Sequence, residues 1–236
     1  YHWGTTGIGY DFSRLEELAP DAPADSWKLI YDPKVVAQMA GCGLSVVDAP
    51  SEVIATALMA MGKDPNDLSP ESLSAAEKLL LGMRPSVRKI DYLTQIEDLA
   101  NGSQCLLLTW PADVIRARAR ARESGKEVDF RYVIPKEGTI RWIDTLTIPA
   151  DAPNRAEAHA FIDFLMHADV AARNANFIGT PSANSAALPM IDEVLRTDPN
   201  VYPTAEVRAK LVSLRARTQE ESRLENRLWT RFRSGQ

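Results

Sequence analysis

The chain has 236 residues, 45% of them hydrophobic, which is enough to bury a core in one or two domains. Its formal net charge of −5 at pH 7 argues against nucleic acid as a partner and fits a preference for cationic small molecules. No apolar run approaches the ~18 residues that a membrane-spanning helix requires.

The first half of the chain alternates short apolar strands with helices. Residues 1–12 predict a strand and a turn at Gly7 and Gly9, where a lone G-x-G favours a turn over a phosphate-binding loop. The further predicted elements are a helix or strand at 27–32, helices at 33–39, 51–61, 69–81 and 94–101, and strands at 44–47, 84–90 and 105–109.

The second half begins with a helix at 112–124 and strands at 128–134 and 139–149. Helices are then predicted at 156–167, 169–176, 188–196, 204–214 and 220–232, with a loop at 180–187. This alternation predicts an α/β fold with a largely parallel sheet.

The strand predicted at 139–149 places a carboxylate among apolar residues. Because side chains alternate between the faces of a strand, Asp144 shares a face with Ile140, Trp142, Leu146 and Ile148. An unpaired carboxylate is costly to bury, so Asp144 should have a partner. That partner is either an internal arginine or backbone group, or a cationic ligand.

Two other predicted strands lead to acidic and aromatic residues. Glu52 lies shortly after the first, and Trp110 and Asp113 follow the second. Ligands of doubly wound sheets lie beyond the carboxyl ends of the strands, so these side chains are directed toward one region with those of the 139–149 strand. The motifs WPAD and WID each set a tryptophan near a carboxylate, and neither contains a basic residue.

Each of these residues has a structural alternative. Asp48, Glu52 and Asp113 lie near helix N-termini, where a carboxylate stabilises the helix dipole without a ligand, and the tryptophans could belong to the core. The repeated pairing instead favours an organic ammonium, which carboxylates neutralise and aromatic faces pack. The arginines of 116–122 point in several directions on a helix and indicate a solvated surface.

Cys42 and Cys105 are too few for a structural zinc site, and His2, His159 and His167 have no ligand-like spacing to them. If the strands beside the cysteines are neighbours in register, the sulfur atoms fall at the same level. That geometry would permit a disulfide, and hence an oxidising compartment; two buried thiols are the alternative.

Catalysis has little support in the sequence. No nucleophile with a matching histidine and acid is recognisable, no metal motif is present, and no cofactor is predicted. Paired carboxylates serve glycosidase chemistry, so a carboxylate-dependent hydrolase is kept as the alternative from the enzyme class.

A family resemblance is carried, in this order, by YHWGTTGIGYD, VVDAPSEV, GKDPN, LANGSQCLLLTWPADV, IPKEGTIRWIDTLTIPADAPN and VYPTAEVRAKL. Over essentially its whole length the chain resembles the periplasmic polyamine-binding proteins of bacterial ABC transporters, and their putrescine-preferring branch in particular. The resemblance implies a type II periplasmic binding protein fold, a periplasmic location, permease subunits as partners and no enzymatic activity.

The resemblance also implies a ligand set. Glu52, Trp110, Asp113, Trp142 and Asp144 match ligand-contacting positions of the family. By this match the three carboxylates neutralise ammonium groups, while the two tryptophans pack the methylene chain.

Four further positions are compared with the same branch. Tyr92 matches a position that makes a small polar contact, and Thr180 stands where the family usually has a contacting tyrosine. Cys42 and Cys105 match the disulfide pair of the putrescine branch.

Members of the family have a further segment before the YHWGTTG motif, which forms most of the first lobe. The resemblance therefore predicts one near-complete second lobe, from residues 1–138 and 182–236, and a remnant of the first lobe at 139–181. We expect this remnant of a truncated lobe, one strand and two helices without sheet partners, to expose an apolar strand edge and helix faces. Such a surface favours self-association, including domain swapping.

These inferences predict a binding protein for polyamine uptake. Putrescine is the expected ligand and spermidine the alternative, and binding is expected to be weaker in the truncated chain. A truncated interaction or regulatory protein of the same fold is the alternative. An alanine at Asp144 separates the interpretations, because a binder loses affinity, an interaction protein changes little and a hydrolase loses turnover.

Overall fold

The computed structural model describes residues 1–235 of the chain as a mixed α/β structure with two sheets. The strands are β1 (Trp3–Thr5), β2 (Gly7–Asp11), β3 (Leu44–Val46), β4 (Val87–Ile90), β5 (Leu106–Thr109), β6 (Phe130–Val133), β7 (Thr139–Ile143) and β8 (Leu211–Val212). The helices are α1 (Phe12–Leu18), α2 (Lys28–Tyr31), α3 (Pro33–Val36), α4 (Pro50–Ala60), α5 (Pro70–Met83), α6 (Gln95–Asn101), α7 (Pro111–Glu123), α8 (Arg155–Leu165), α9 (Ala168–Ile178), α10 (Glu193–Arg196), α11 (Ala205–Arg208) and α12 (Gln219–Ser234).

The larger sheet has the strand order β4-β3-β5-β2-β6. β3 runs parallel to β4 and β5, whereas β2 runs antiparallel to β5 and β6. Parallel neighbours need crossover connections, which α4 to α6 supply. β2 instead enters directly from β1 through Thr6, so the sheet that the sequence predicted as largely parallel is mixed.

The main core lies between the larger sheet and the helices around it. Trp27, Leu58 and Phe232 are fully buried in it. The C-terminal helix α12 closes this core against α4 and α5. It begins at a capping box in which Thr218 and Glu221 exchange hydrogen bonds, which defines the start of the helix.

A disulfide joins Cys42 to Cys105, with 5.5 Å between their Cα atoms. The adjoining strands β3 and β5 are parallel neighbours, with Leu44 opposite Leu106. The register condition stated from the sequence is therefore met, and the alternative of two buried thiols is excluded in this structure.

The smaller sheet has the order β1-β7-β8, and here the structure corrects two expectations. The strand predicted at 139–149 ends at Ile143, and β7 is paired on both sides, antiparallel to β1 and parallel to β8. The strand thus has sheet partners rather than an open edge. Strand pairing in the structure gives no support to self-association or domain swapping.

The expected exposure of apolar helix faces is confirmed on α8 and α9. No residue of α8 is buried, and Phe161 and Phe164 are more than half exposed. Phe177 of α9 is 84% exposed, although the opposite face of α9 packs on the Ser185–Met190 turn through Ala175 and Ala187.

The helices predicted at 188–196 and 204–214 are replaced by shorter elements. A 3₁₀ turn at Ser185–Met190, the one-turn helices α10 and α11, and the strand β8 occupy this part of the chain. Pro189 lies inside the 3₁₀ turn, and Pro199 and Pro203 lie in the connection between α10 and α11. Proline lacks a backbone donor, so these positions favour irregular structure between the short elements. Among the helices of the described residues, none is long and apolar enough to cross a membrane.

Candidate ligand-binding site

A cavity of about 320 Å³ lies where the carboxyl ends of β3 and β5 face β7. Six of the seven ligand residues predicted from the sequence line it. The complete lining is Glu52, Trp110, Ala112, Asp113, Arg116, Trp142, Asp144, Ile178 and Thr180.

Two equivalent strand-to-helix turns position the first two carboxylates. Pro50 and Pro111 occupy the first position of α4 and α7, where a missing backbone donor is tolerated. Glu52 and Asp113 each lie two residues later, in the first helical turn. Because β3 and β5 are parallel neighbours, the two turns bring both carboxylates to the same edge of the sheet.

Glu52 is held by two donors from different elements. Trp110 Nε1 donates to Glu52 Oε2 at 2.9 Å, and the Thr6 hydroxyl donates to the same oxygen. Burial raises the pKa of Glu52 above its usual value, while these two hydrogen bonds oppose the shift and the charge of Asp144 adds to it. Glu52 is therefore a poorly solvated acid that a cation would stabilise in its ionised form.

Asp113 belongs to a buried polar network. The Thr109 hydroxyl lies 2.7 Å from both Asp113 Oδ2 and Gln95 Oε1, and the Gln95 amide nitrogen donates to Ser45 Oγ at 3.0 Å. A hydroxyl has one proton and cannot donate to two acceptors at once. The Thr109 hydroxyl therefore donates to Asp113 Oδ2 or to Gln95 Oε1, but to only one of them at a time.

Burial is the largest influence on Asp113 and raises its pKa. Hydrogen bonds from Thr109 and from the backbone oppose this shift, as does the charge of Arg116. The empty cavity thus contains two acids that hold their protons more tightly than a solvated carboxyl does.

Trp142 and Asp144 come from β7 and from the residue after it. Trp142 pairs with Gly4 of β1, and a Cβ atom at Gly4 would overlap the six-membered ring of Trp142. Asp144 is exposed, because β7 ends before it, and its backbone N–H donates to the carbonyl of His2 at 2.8 Å. The carboxylate expected to be buried among apolar residues therefore faces the opening of the cavity.

Thr180 is 5% exposed, and its hydroxyl has no hydrogen-bond partner in residues 1–235. The indole nitrogen of Trp142 is likewise buried and unpartnered among those residues. Neither polar atom is accessible to solvent, so Trp142 offers the apolar part of its ring to the cavity. Leaving such a group unsatisfied costs about 1–3 kcal/mol.

Tyr92 does not line the cavity. It is 50% exposed in the surface turn that follows β4, beside Asp91, whose backbone N–H donates to Val46. Asp48 lies two residues before the start of α4. It has a structural role, because it accepts a hydrogen bond from Trp229 Nε1 at 2.9 Å and forms a salt bridge with Arg233 at 3.0 Å.

Four contributors to the site were not identified from the sequence. Thr6 and Thr109 belong to no recognisable motif, although Thr6 directly precedes β2 and Thr109 is the last residue of β5. Gly4 leaves room for the Trp142 ring, and this requirement arises only because β1 pairs with β7. Arg116 is exposed, as the interpretation of these arginines as solvated surface predicts, but it also lines the cavity. Its position three residues after Asp113, on the same helix face, was the available signal.

The arrangement can bind an organic cation. Three carboxylates face one cavity with two indole rings, and only one cationic side chain, Arg116, is among the lining residues. No group of three or more His, Cys, Asp or Glu residues within 1–235 is arranged to hold a metal ion.

The fold agrees with one family of proteins. The chain belongs to the family described as bacterial extracellular solute-binding protein, which matches residues 1–196. Members of this family bind solutes and are not enzymes, so the hydrolase alternative is not supported.

Individual proteins similar to this chain are also described as solute-binding or transport proteins. The chain is 40% identical over 237 residues to the putrescine-binding periplasmic protein PotF of Escherichia coli and 38% identical over 236 residues to the putrescine-binding periplasmic protein SpuD of Pseudomonas aeruginosa. Each match covers 100% of this chain and 64% of the relative, so the chain spans somewhat less than two thirds of their length. A solved structure from Listeria monocytogenes, assigned to spermidine/putrescine ABC transport, superposes with a TM-score of 0.87 at 27% identity, covering 100% of this chain and 68% of that one.

Proposed function

We propose that the chain is the polyamine-binding component of a bacterial uptake system, with putrescine as its preferred ligand. The single observation that supports this most is the common cavity of Glu52, Asp113, Asp144, Trp110 and Trp142. The relatives described as putrescine-binding proteins add independent support.

In this proposal the carboxylates neutralise the two ammonium groups and the indole rings pack the methylene chain between them. Glu52 and Trp110 are already joined by a hydrogen bond, so the acid and the aromatic face are oriented before the ligand arrives. Preorganisation of this kind reduces the entropy that binding costs. Thr180, in place of a larger aromatic residue, leaves one side of the cavity wider.

We infer that the protein acts in the periplasm and delivers its ligand to the permease subunits of an ABC transporter. The disulfide between Cys42 and Cys105 supports an oxidising compartment. Relatives with a periplasmic description support the same location.

We also propose that residues 1–138 and 182–236 form one lobe and residues 139–181 contribute to the other. The exposed apolar residues of α8 and α9 are the supporting observation, since such a face is normally covered. Because a ligand between two lobes gains contacts from both, residues 1–236 alone should bind polyamine more weakly than a two-lobed relative does.

Tryptophan fluorescence tests the function, because Trp110 and Trp142 line the cavity. We expect saturable changes with putrescine and with spermidine, and none with a neutral amino acid such as alanine. No response to either polyamine would contradict polyamine binding and favour the interaction role. A response to alanine without one to the polyamines would indicate a different class of ligand.

A further inference from the structure

The cavity that contains three carboxylates also contains one positive charge, Arg116 of α7. Residues three apart on a helix share a face, so Arg116 lies on the same side as Asp113. Its charge also reaches the site, where it opposes the rise in the Asp113 pKa that burial causes. The guanidinium and the carboxylates therefore line one cavity.

Arg118 and Arg120 of the same helix have polar partners within the chain, whereas Arg116 has none among residues 1–235. Arg118 donates to the backbone oxygen of Phe130 at 2.7 Å, and Arg120 forms a salt bridge with Glu97. Within residues 1–235 the guanidinium of Arg116 makes no hydrogen bond and has no carboxylate within 4.0 Å. An arginine that lines an acidic cavity and has no structural partner is available to act on a ligand.

We propose that Arg116 limits the number of charges that the cleft accepts, and so favours a diamine over polyamines with three or four ammonium groups. The inference rests on the proposed polyamine function and adds to it the residue that discriminates between ligands. Every ammonium group that enters the cavity is repelled by Arg116, so the penalty grows with ligand charge.

The size of the effect follows from Coulomb's law. Arg116 is exposed, so the effective dielectric constant lies near that of water. Two unit charges about 7 Å apart in such surroundings change an equilibrium by about 2- to 7-fold. Salt screens the interaction, so the discrimination should be largest at low ionic strength.

Calorimetric titrations with putrescine, spermidine and spermine test the proposal. In Arg116→Gln we expect affinity to rise by about 2- to 7-fold more for spermidine than for putrescine, and further for spermine. Arg116→Lys keeps the charge and should keep the wild-type preference. Arg122→Gln is the matched control. Arg122 is also exposed and lies six residues further along α7, outside the cavity.

Two outcomes separate failure of this inference from failure of the proposed function. If the wild type binds polyamines and Arg116→Gln changes all three affinities equally, Arg116 does not discriminate by ligand charge. The proposed polyamine function would then still stand. If the wild type binds none of the three, both proposals are overturned.

A second measurement does not depend on a ligand. The carboxyl carbon of Asp113 can be titrated by NMR in the wild type and in both glutamine variants. We expect the pKa of Asp113 to rise in Arg116→Gln and to stay unchanged in Arg122→Gln. An unchanged pKa in Arg116→Gln would show that its charge does not reach the site and would overturn the inference.

Discussion

At the scale of single residues, the site contains two buried acids, Glu52 and Asp113, whose pKa values are raised. The pKa values of Glu52 and Asp113 are raised mainly by burial, from usual values of 4.5 and 3.8. The folded protein without ligand therefore binds protons more tightly than the unfolded chain. Stability from these groups is fully present below the usual pKa values and is lost as pH rises through the raised ones.

Binding of putrescine, a dication, favours the ionised form of both carboxylates and so opposes their binding of protons. We predict that putrescine binding releases protons at a pH just above the usual pKa values of these acids, and that affinity increases as pH rises through the raised values. Calorimetry in two buffers of different ionisation enthalpy measures the release directly. Glu52→Gln should release fewer protons, since Gln still accepts from Trp110 and Thr6 but does not titrate.

Glu71→Gln is the control for this measurement. Glu71 lies in the first turn of α5, as Glu52 does in α4, but it is exposed and outside the cavity. It should leave proton release unchanged. Binding heats that do not depend on the buffer in the wild type would contradict the coupling.

Gly4 gives a second prediction at this scale. A Cβ atom there would overlap the Trp142 ring, so Gly4→Ala should displace the ring, destabilise the fold by about 1–3 kcal/mol and weaken polyamine binding. Urea unfolding and fluorescence titration measure the two effects. Gly41→Ala, whose Cβ would meet only ordinary contacts with Leu18, should be close to neutral.

The cause can be checked with a double variant. Phenylalanine lacks the ring atoms that the new Cβ would meet, so Gly4→Ala combined with Trp142→Phe should recover much of the lost stability. Additive losses in the double variant would show that Gly4 acts through something other than the Trp142 ring.

At the scale of elements, the disulfide fastens two neighbouring strands that end at the cleft. Cys42 and Cys105 are 63 residues apart, so their link restricts a long segment of the unfolded chain. Replacing both by serine should cost on the order of 4 kcal/mol, measured by urea unfolding. Wild-type protein treated with a reductant should lose a similar amount, and a loss below about 1 kcal/mol in both would contradict the prediction.

The elements that could be predicted from the sequence are those with local signals. Proline and acid at the start of α4 and α7, and the alternation of strands and helices, predicted that Glu52, Trp110 and Asp113 follow strands of one sheet, which is where they lie in the structure. The direction of β2, the end of β7 at Ile143 and the partners of β7 depend on contacts between distant segments. The short elements that replace the helices predicted at 188–196 and 204–214 also depend on distant contacts, since Leu195 and Val201 pack in one cluster with residues of α9.

At the scale of the whole molecule, two sheets meet at the cleft. The larger sheet supplies Glu52, Trp110 and Asp113 through the turns that follow β3 and β5, and the smaller sheet supplies Trp142 and Asp144 through β7. A change in the relative position of the sheets would change the distances among the carboxylates. If the cavity binds a polyamine as proposed, the position of this junction sets which ligand length fits between the carboxylates.

The central claim is that the cavity carboxylates bind a polyamine, and calorimetric titration of putrescine into wild type and Asp113→Asn tests it most directly. We predict saturable binding by the wild type and a loss of at least about tenfold in Asp113→Asn, whose amide still accepts from Thr109 but has no charge. Asp129→Asn, an exposed acid paired with Arg131 outside the cavity, is the control and should bind as the wild type does. Equal affinities in Asp113→Asn and the wild type, or no binding by the wild type, would contradict the claim.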